Sequence, residues 1–146
     1  MRSWRDRREF GALPFRLHAN AEKWIPPLRL YSRLSLSPRF NAYFKHGEAQ
    51  LFLARRDGRV VGRISAQIDR NFNAHQRNDW GMFGFLEVEE DGEALAALLD
   101  AAAAWLRARG RDRMVGPMDF TMDEEVGVVI EGFDREPFGK QPWHPT

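Results

Sequence analysis

A chain of 146 residues, 43% hydrophobic and 29% charged, has the bulk and composition of one globular domain, and no apolar run approaches the roughly 20 residues that cross a bilayer. Its 22 basic and 21 acidic residues leave a net charge of +1, so no overall field draws nucleic acid or anionic lipid. The absence of cysteine excludes disulfides, thiolate nucleophiles and every cysteine-based zinc motif.

The start, MRSWRDRREFGALPFRL, is arginine-rich but lacks the apolar stretch and cleavage site of a secretory leader. A cytoplasmic setting is expected, with neither membrane nor nucleic acid as partner. Phe10, Leu13 and Leu17 recur at spacings of three and four and predict a helical region over 5–18, in which Pro14 opens a second turn rather than sitting inside one. WIPPLRL predicts an extended passage, because each proline restricts the residue before it. SPRFNAYFKHG predicts a short helix with Ser37 as N-cap, Pro38 first and Gly47 just past the end.

From Glu48 the period changes to two. EAQLFLARRDGRVVGRISAQID predicts two strands around Asp57-Gly58, since both central positions of such a hairpin turn need a positive φ. Val60, Gly62, Ile64, Ala66 and Ile68 share one face of the second strand, while Val61, Arg63, Ser65, Gln67 and Asp69 share the other. RNFNAHQRND reads as a polar loop. WGMFGFLEV then predicts a third strand, Trp80, Met82, Leu86 and Val88 alternating against Phe83, Phe85 and Glu87, and large apolar groups on both faces make it central.

Leu95, Leu98, Leu99, Ala102, Trp105 and Leu106 trace the stripe of a long helix that closes with Arg107, Arg109 and Gly110. RMVGPM follows as a short strand parallel to the third across a βαβ crossover. Beyond Phe120 only VGVVI is regular, and PFGKQPWHPT predicts no element. The expected architecture is a single α/β (α+β) domain over residues 1–146.

His18, His46, His75 and His144 are too far apart for a zinc helix, so no metal site is expected. Hydrolase elbows, Walker loops and a G-x-G-x-x-G turn are all absent from the sequence. What remains is topological: the carboxyl ends of both parallel strands open on one sheet edge, where α/β proteins place ligands. Glu87 and Glu89 end one strand there, and Asp119, Asp123, Glu124 and Glu125 follow the other. Carboxylates gathered at one mouth raise each other's pKa, attract a cation and supply a general base, a chemistry that suits an amine. Glu90, Asp91 and Glu93 read more simply as partners of the helix N-terminus, whereas Glu87 fits either role.

This order of elements resembles the core of the GNAT acyltransferase superfamily, the Gcn5-related N-acetyltransferases. WIPPLRL, NAYFKHGEAQLFLARRDGRVVGRISA, GMFGFLEVEED, AAAAWLRARG and GPMDFTMDEEVGVVIEGFD carry the resemblance over most of residues 10–134. It implies a mixed, mainly antiparallel sheet with helices on both faces. Acetyl-CoA or another acyl-CoA would lie between the central strand and the strand after the long helix. The resemblance assigns the cofactor to the backbone of Phe83, Gly84, Phe85 and Leu86, and its pyrophosphate to the helix start at Gly92. Glu87 would be the catalytic base, with Asp119, Asp123 and Glu124 orienting a small-molecule amine.

Two departures stand out. The superfamily turn Q/R-x-x-G-x-G/A is here EEDGEA, and the C-terminal elements are short or missing, with Tyr31 and Tyr43 both well before the cleft. Such a chain would be a fragment, a shortened paralogue, or half of a site that a homodimer or a partner chain completes. Two readings follow: an acyl-CoA-dependent N-acyltransferase, or a non-catalytic GNAT-like binding module anchored through Trp24 and Trp143. Arg55, Arg56, Arg59 and Arg63 read as a solvated hairpin tip rather than a nucleic-acid surface.

Overall fold

A computed structural model of the chain describes residues 3–133 and 135. The PFGKQPWHPT segment, with Trp143 and His144, lies outside the described residues. The elements run α1 (Trp4–Leu17), α2 (Arg29–Ser35), a 3-10 turn (Ala42–Lys45), β1 (Gly47–Arg56), β2 (Arg59–Asp69), α3 (Arg70–Gln76), β3 (Trp80–Val88), α4 (Gly92–Arg107) and β4 (Arg113–Val115). The sheet order is β1-β2-β3-β4, antiparallel except for the parallel pair β3–β4. Asp57 and Gly58 form the hairpin turn with φ of 51° and 78°, as their residue types require.

Four local expectations are corrected. Pro14 sits inside α1, not at a new start. A proline there deprives the Phe10 carbonyl of its helical donor, and the Arg63 side chain supplies one instead, Nη1 donating to Phe10 O at 3.0 Å. The helix continues because a residue from the sheet satisfies its broken bond. WIPPLRL is extended only to Leu28, after which α2 forms, and the helix expected at SPRFNAYFKHG shrinks to the 3-10 turn. Asn41 divides that segment, its side chain donating to Ser35 O at 2.7 Å and accepting from Tyr43 N at 2.8 Å. The RNFNAHQRND loop contains α3, capped by Asp69 Oδ1, which accepts from the N–H groups of Asn71 and Phe72. A residue read as the end of a strand is also the cap of a helix.

Both faces of β2 are buried. Ile64, Ala66 and Ile68 pack with Leu98, Ala102 and Leu106 of α4, while Phe10, Leu36, Tyr43, Leu51 and Phe120 fill the opposite side. That opposite side also takes in Arg63, Ser65, Gln67 and Asp69, all buried, so Arg63 is no part of a solvated hairpin tip. Buried polar groups must find partners. Ser65 Oγ donates to Gln67 Oε1 at 2.8 Å, and Gln67 Nε2 donates to Met118 O at 2.7 Å.

The alternation expected along β3 breaks at a bulge. Between Arg63 and Ser65 of β2, β3 carries one extra residue, and Phe85 takes a φ of 50°. Phe83 and Leu86 therefore both pack towards α4, while Phe85 joins the α1 side. Just before the bulge, Met118 O would lie 2.0 Å from a Cβ on Gly84, so only glycine fits beneath that carbonyl. Gly84→Ala is expected to destabilise the fold by about 3 kcal/mol in urea denaturation, because backbone rather than a mobile side chain must move.

Candidate active site

The bulge is where β4 leaves β3. The parallel ladder ends at Met82 and Val115, and beyond it the chain is pinned by two bonds, Met118 N–H to Phe83 O at 2.8 Å and Phe85 N–H to Asp119 Oδ1 at 2.6 Å. The main-chain groups of Phe83 and Phe85 expected to face a cofactor are thus held by residues 118 and 119. Glu89 N–H points to β2, donating to Val61 O at 2.9 Å. By the two-residue alternation of a strand, Leu86 and Val88 turn their main-chain groups to the opposite edge, where β4 no longer pairs.

On the α1 side of this edge is a cleft of about 270 Å³, lined among others by His18, Trp24, Tyr31, Arg63, Phe85, Glu87, Asp119 and Glu124. Glu87 Oε2 lies 2.8 Å from His18 Nε2, and its Oε1 lies 3.8 Å from Arg63 Nη2. Asp119 is the most perturbed carboxyl there. Burial pushes its pKa up to about 7, with Glu125 and Glu87 adding to the shift, while the bond from Phe85 N–H and the Arg63 charge oppose it. Burial likewise raises Glu125, with Glu87 next in weight. Asp119 thus holds an exchangeable proton near neutral pH.

The structure brings Glu87, Asp119, Glu124 and Phe85 to one cleft. Glu124 accepts from the Tyr31 hydroxyl at 3.1 Å, and Asp123 acts on the same hydroxyl, whose pKa rises through burial first and these carboxylates second. Phe83 and Leu86 turn towards α4, Gly84 lies under Met118, and Gly92 opens α4, with nothing beyond its chain neighbours and its own helix backbone within 4 Å of where its Cβ would be. Sequence reasoning missed His18 and Arg63. In the sequence His18 is one of four scattered histidines, yet at the C-cap of α1 it meets Glu87 across 69 residues of chain. The strand pattern did place Arg63 on the Ser65–Gln67 face, but nothing in the pattern showed that face to be buried. Trp24 packs edge-on against Phe15 and tilts over His18, at centroid distances of 5.4 and 5.3 Å, and so walls the cleft.

The acidic turn before α4 is paired with arginines. Arg16 and Arg59 both bind Glu89, at 2.8 and 2.6 Å, and Arg56 binds Asp91 at 2.7 Å and Glu93 at 3.0 Å. The Arg59 bond foremost lowers the pKa of Glu89, and the Arg56 bond that of Asp91. Asp91 also caps α4, accepting from Ala94 N–H at 3.0 Å. Its carboxylate stands where an anion would meet the helix N-terminus.

The chain is 26% identical to the crystal structure of a ribosomal-protein-alanine N-acetyltransferase from Brucella melitensis biovar Abortus 2308, superposing with a TM-score of 0.51 over 76% of this chain and 72% of that one. The fold is GNAT-like. No family model matches the chain. It is 47% identical over 132 residues to a Caulobacter vibrioides (strain NA1000 / CB15N) protein named "Bacterial ceramide synthase", covering 89% of this chain and 34% of that protein. It is 36% identical over 137 residues to "Protein YghO" of Escherichia coli (strain K12), covering 94% of this chain and 35% of that protein. The chain thus spans about a third of the length of these curated relatives.

Proposed function

We propose that the chain supplies an N-acyltransferase site that transfers an acyl group from an acyl-CoA thioester to the primary amine of a long-chain amino alcohol. The observation that carries the reading is Asp119, a carboxyl with a pKa of about 7 held at the β3 bulge and facing a cleft. The GNAT-like fold supports acyl transfer, and the relative's name supports the acceptor, since a ceramide is the amide of a fatty acid with a long-chain amino alcohol.

The amine would enter on the α1 side, its ammonium drawn by Glu87, Glu124 and Glu125. Asp119 accepts the proton that turns the bound ammonium into the free amine; the nitrogen lone pair then attacks the thioester carbon, the C–N bond forms, the C–S bond breaks, and the departing thiolate takes the second nitrogen proton. Proton removal is assigned to Asp119. Glu87, the base expected from the sequence, orients His18 through their 2.8 Å contact. The thioester arm fits along the outward main chain of Leu86 and Val88. The pyrophosphate fits less well, because Asp91 already occupies the first-turn amide of Ala94.

That misfit favours a second reading, a binding module without turnover, and one variant separates the two. Asp91→Ala removes a like charge from the phosphate position and is expected to tighten acyl-CoA binding roughly tenfold by calorimetry while lowering the melting temperature. Incubation of the chain with a long-chain acyl-CoA and a long-chain amino alcohol should yield the amide by mass spectrometry. If neither the chain nor Asp91→Ala binds acyl-CoA, the module reading stands and acyl transfer by this chain is wrong.

A further inference from the structure

The near-neutral total charge conceals a strongly uneven distribution. From Lys23 to His46 the sequence holds Lys23, Arg29, Arg33, Arg39 and Lys45 and no Asp or Glu. The same stretch exposes large apolar side chains: Leu28 is 78% exposed, Ile25 74%, Leu30 67% and Phe40 65%. Among the described residues Arg29, Arg33, Arg39 and Lys45 form no ion pair, whereas Arg55, Arg56 and Arg59 of the β1–β2 hairpin are all held by carboxylates.

The helical period sorts α2 into two sectors. Tyr31, Ser32 and Ser35 share the sector that lines the cleft. Arg33 lies on the outward sector with Leu30 and Leu34 beside it, and Arg29, at the edge of that sector, stacks on the Phe15 ring at 4.7 Å. A surface helix in a globule turns its leucines inwards; this one turns them out, next to arginines. No helix among the described residues is long and apolar enough to cross a membrane. Apolar side chains at the interface flanked by cations are the composition of a segment that lies on a bilayer.

We propose that the face formed by residues 25–40 docks on an anionic phospholipid bilayer. Leu28, Leu30 and Phe40 enter the headgroup region, and Arg29, Arg33 and Arg39 meet lipid phosphates. Trp24, Ile25 and Pro27 line the cleft from this same stretch, so the docked face brings the cleft mouth to the lipid surface. The surface argument stands apart from acyl transfer, since it rests on charge and exposure and not on turnover.

Co-sedimentation of the chain with vesicles tests it, phosphatidylcholine alone against phosphatidylcholine with about a third phosphatidylglycerol. The expected result is at least roughly tenfold stronger binding to the anionic vesicles, weakened by added salt. Leu28→Glu with Leu30→Glu, and separately Arg33→Glu with Arg39→Glu, should each reduce that binding by roughly tenfold with unchanged thermal melts. None of these four residues lines the cleft, so the variants keep whatever acyl transfer the chain performs on a dispersed substrate. No sedimentation, equal sedimentation with both vesicles, or undiminished binding in both variants overturns the proposal. So does capture of this face by an acidic protein in the presence of the vesicles.

Discussion

Asp119→Asn is expected to slow acyl transfer by about a hundredfold or more, the usual range for loss of a positioned general base, while the fold survives. Asparagine keeps the Oδ1 acceptor, so the 2.6 Å bond from Phe85 N–H is retained and only the ionisable oxygen is lost. The wild-type rate should rise with pH through about 7, as Asp119 loses its proton, and the variant should lack that limb. A stability measurement gives an independent check with a defined sign. Because burial raises the folded pKa far above the ordinary carboxylate value, the folded state binds the proton more tightly than the unfolded state. The stability this contributes is present at acidic pH and lost as pH rises through about 7. Asp119→Asn should therefore melt above wild type at pH ~8 and lose that advantage towards pH ~5. A variant with an unchanged rate and an unchanged pH profile would remove Asp119 from the chemistry.

What the sequence made legible follows from how local its causes are. The hairpin needed only Asp57-Gly58 and a period of two; α4 needed only its leucine stripe, and both appear as read. The β4 crossover followed from chain order alone. The short helices were lost because their ends are set by side chains with two possible uses. Asp69 terminates β2 and also caps α3, and Asn41 ties the 3-10 turn to Ser35. Along β3, one extra residue at the bulge reversed which face Phe83 occupies relative to Leu86.

The site divides in the same way. Glu87 and Asp119 were legible because parallel strands must open on one edge, a rule that requires no contact map. Their basic neighbours were not. His18 comes from a helix end 69 residues before Glu87, and Arg63 reads from sequence as one more arginine beside the hairpin. The acidic turn was half legible: Asp91 does serve the helix N-terminus, but Arg56 and Arg59 reach it from the hairpin tip, a pairing that only the fold creates.

Arg63→Met should destabilise the protein by about 3–5 kcal/mol, the range for leaving a buried ionic partner uncompensated. Three separate losses coincide at this residue. Phe10 O, already without its helical donor because of Pro14, loses the Nη1 bond at 3.0 Å. The guanidinium also leaves the rings of Phe10 and Phe85, which it covers at 4.9 and 5.7 Å. Finally Glu87, Asp119 and Glu125 lose the cation they share. The last loss extends to catalysis. Arg63 holds the Asp119 pKa down against burial, so its removal moves the rising limb of the rate profile above pH 7. Arg63→Lys separates the packing contribution from the charge. Lysine restores a cation for the carboxylates but not the planar fork that stacks on two rings while bonding a carbonyl. It should return the rate profile towards that of wild type and recover only part of the stability in urea denaturation. Equal stability of the lysine and methionine variants would mean that the charge contributes nothing to the fold.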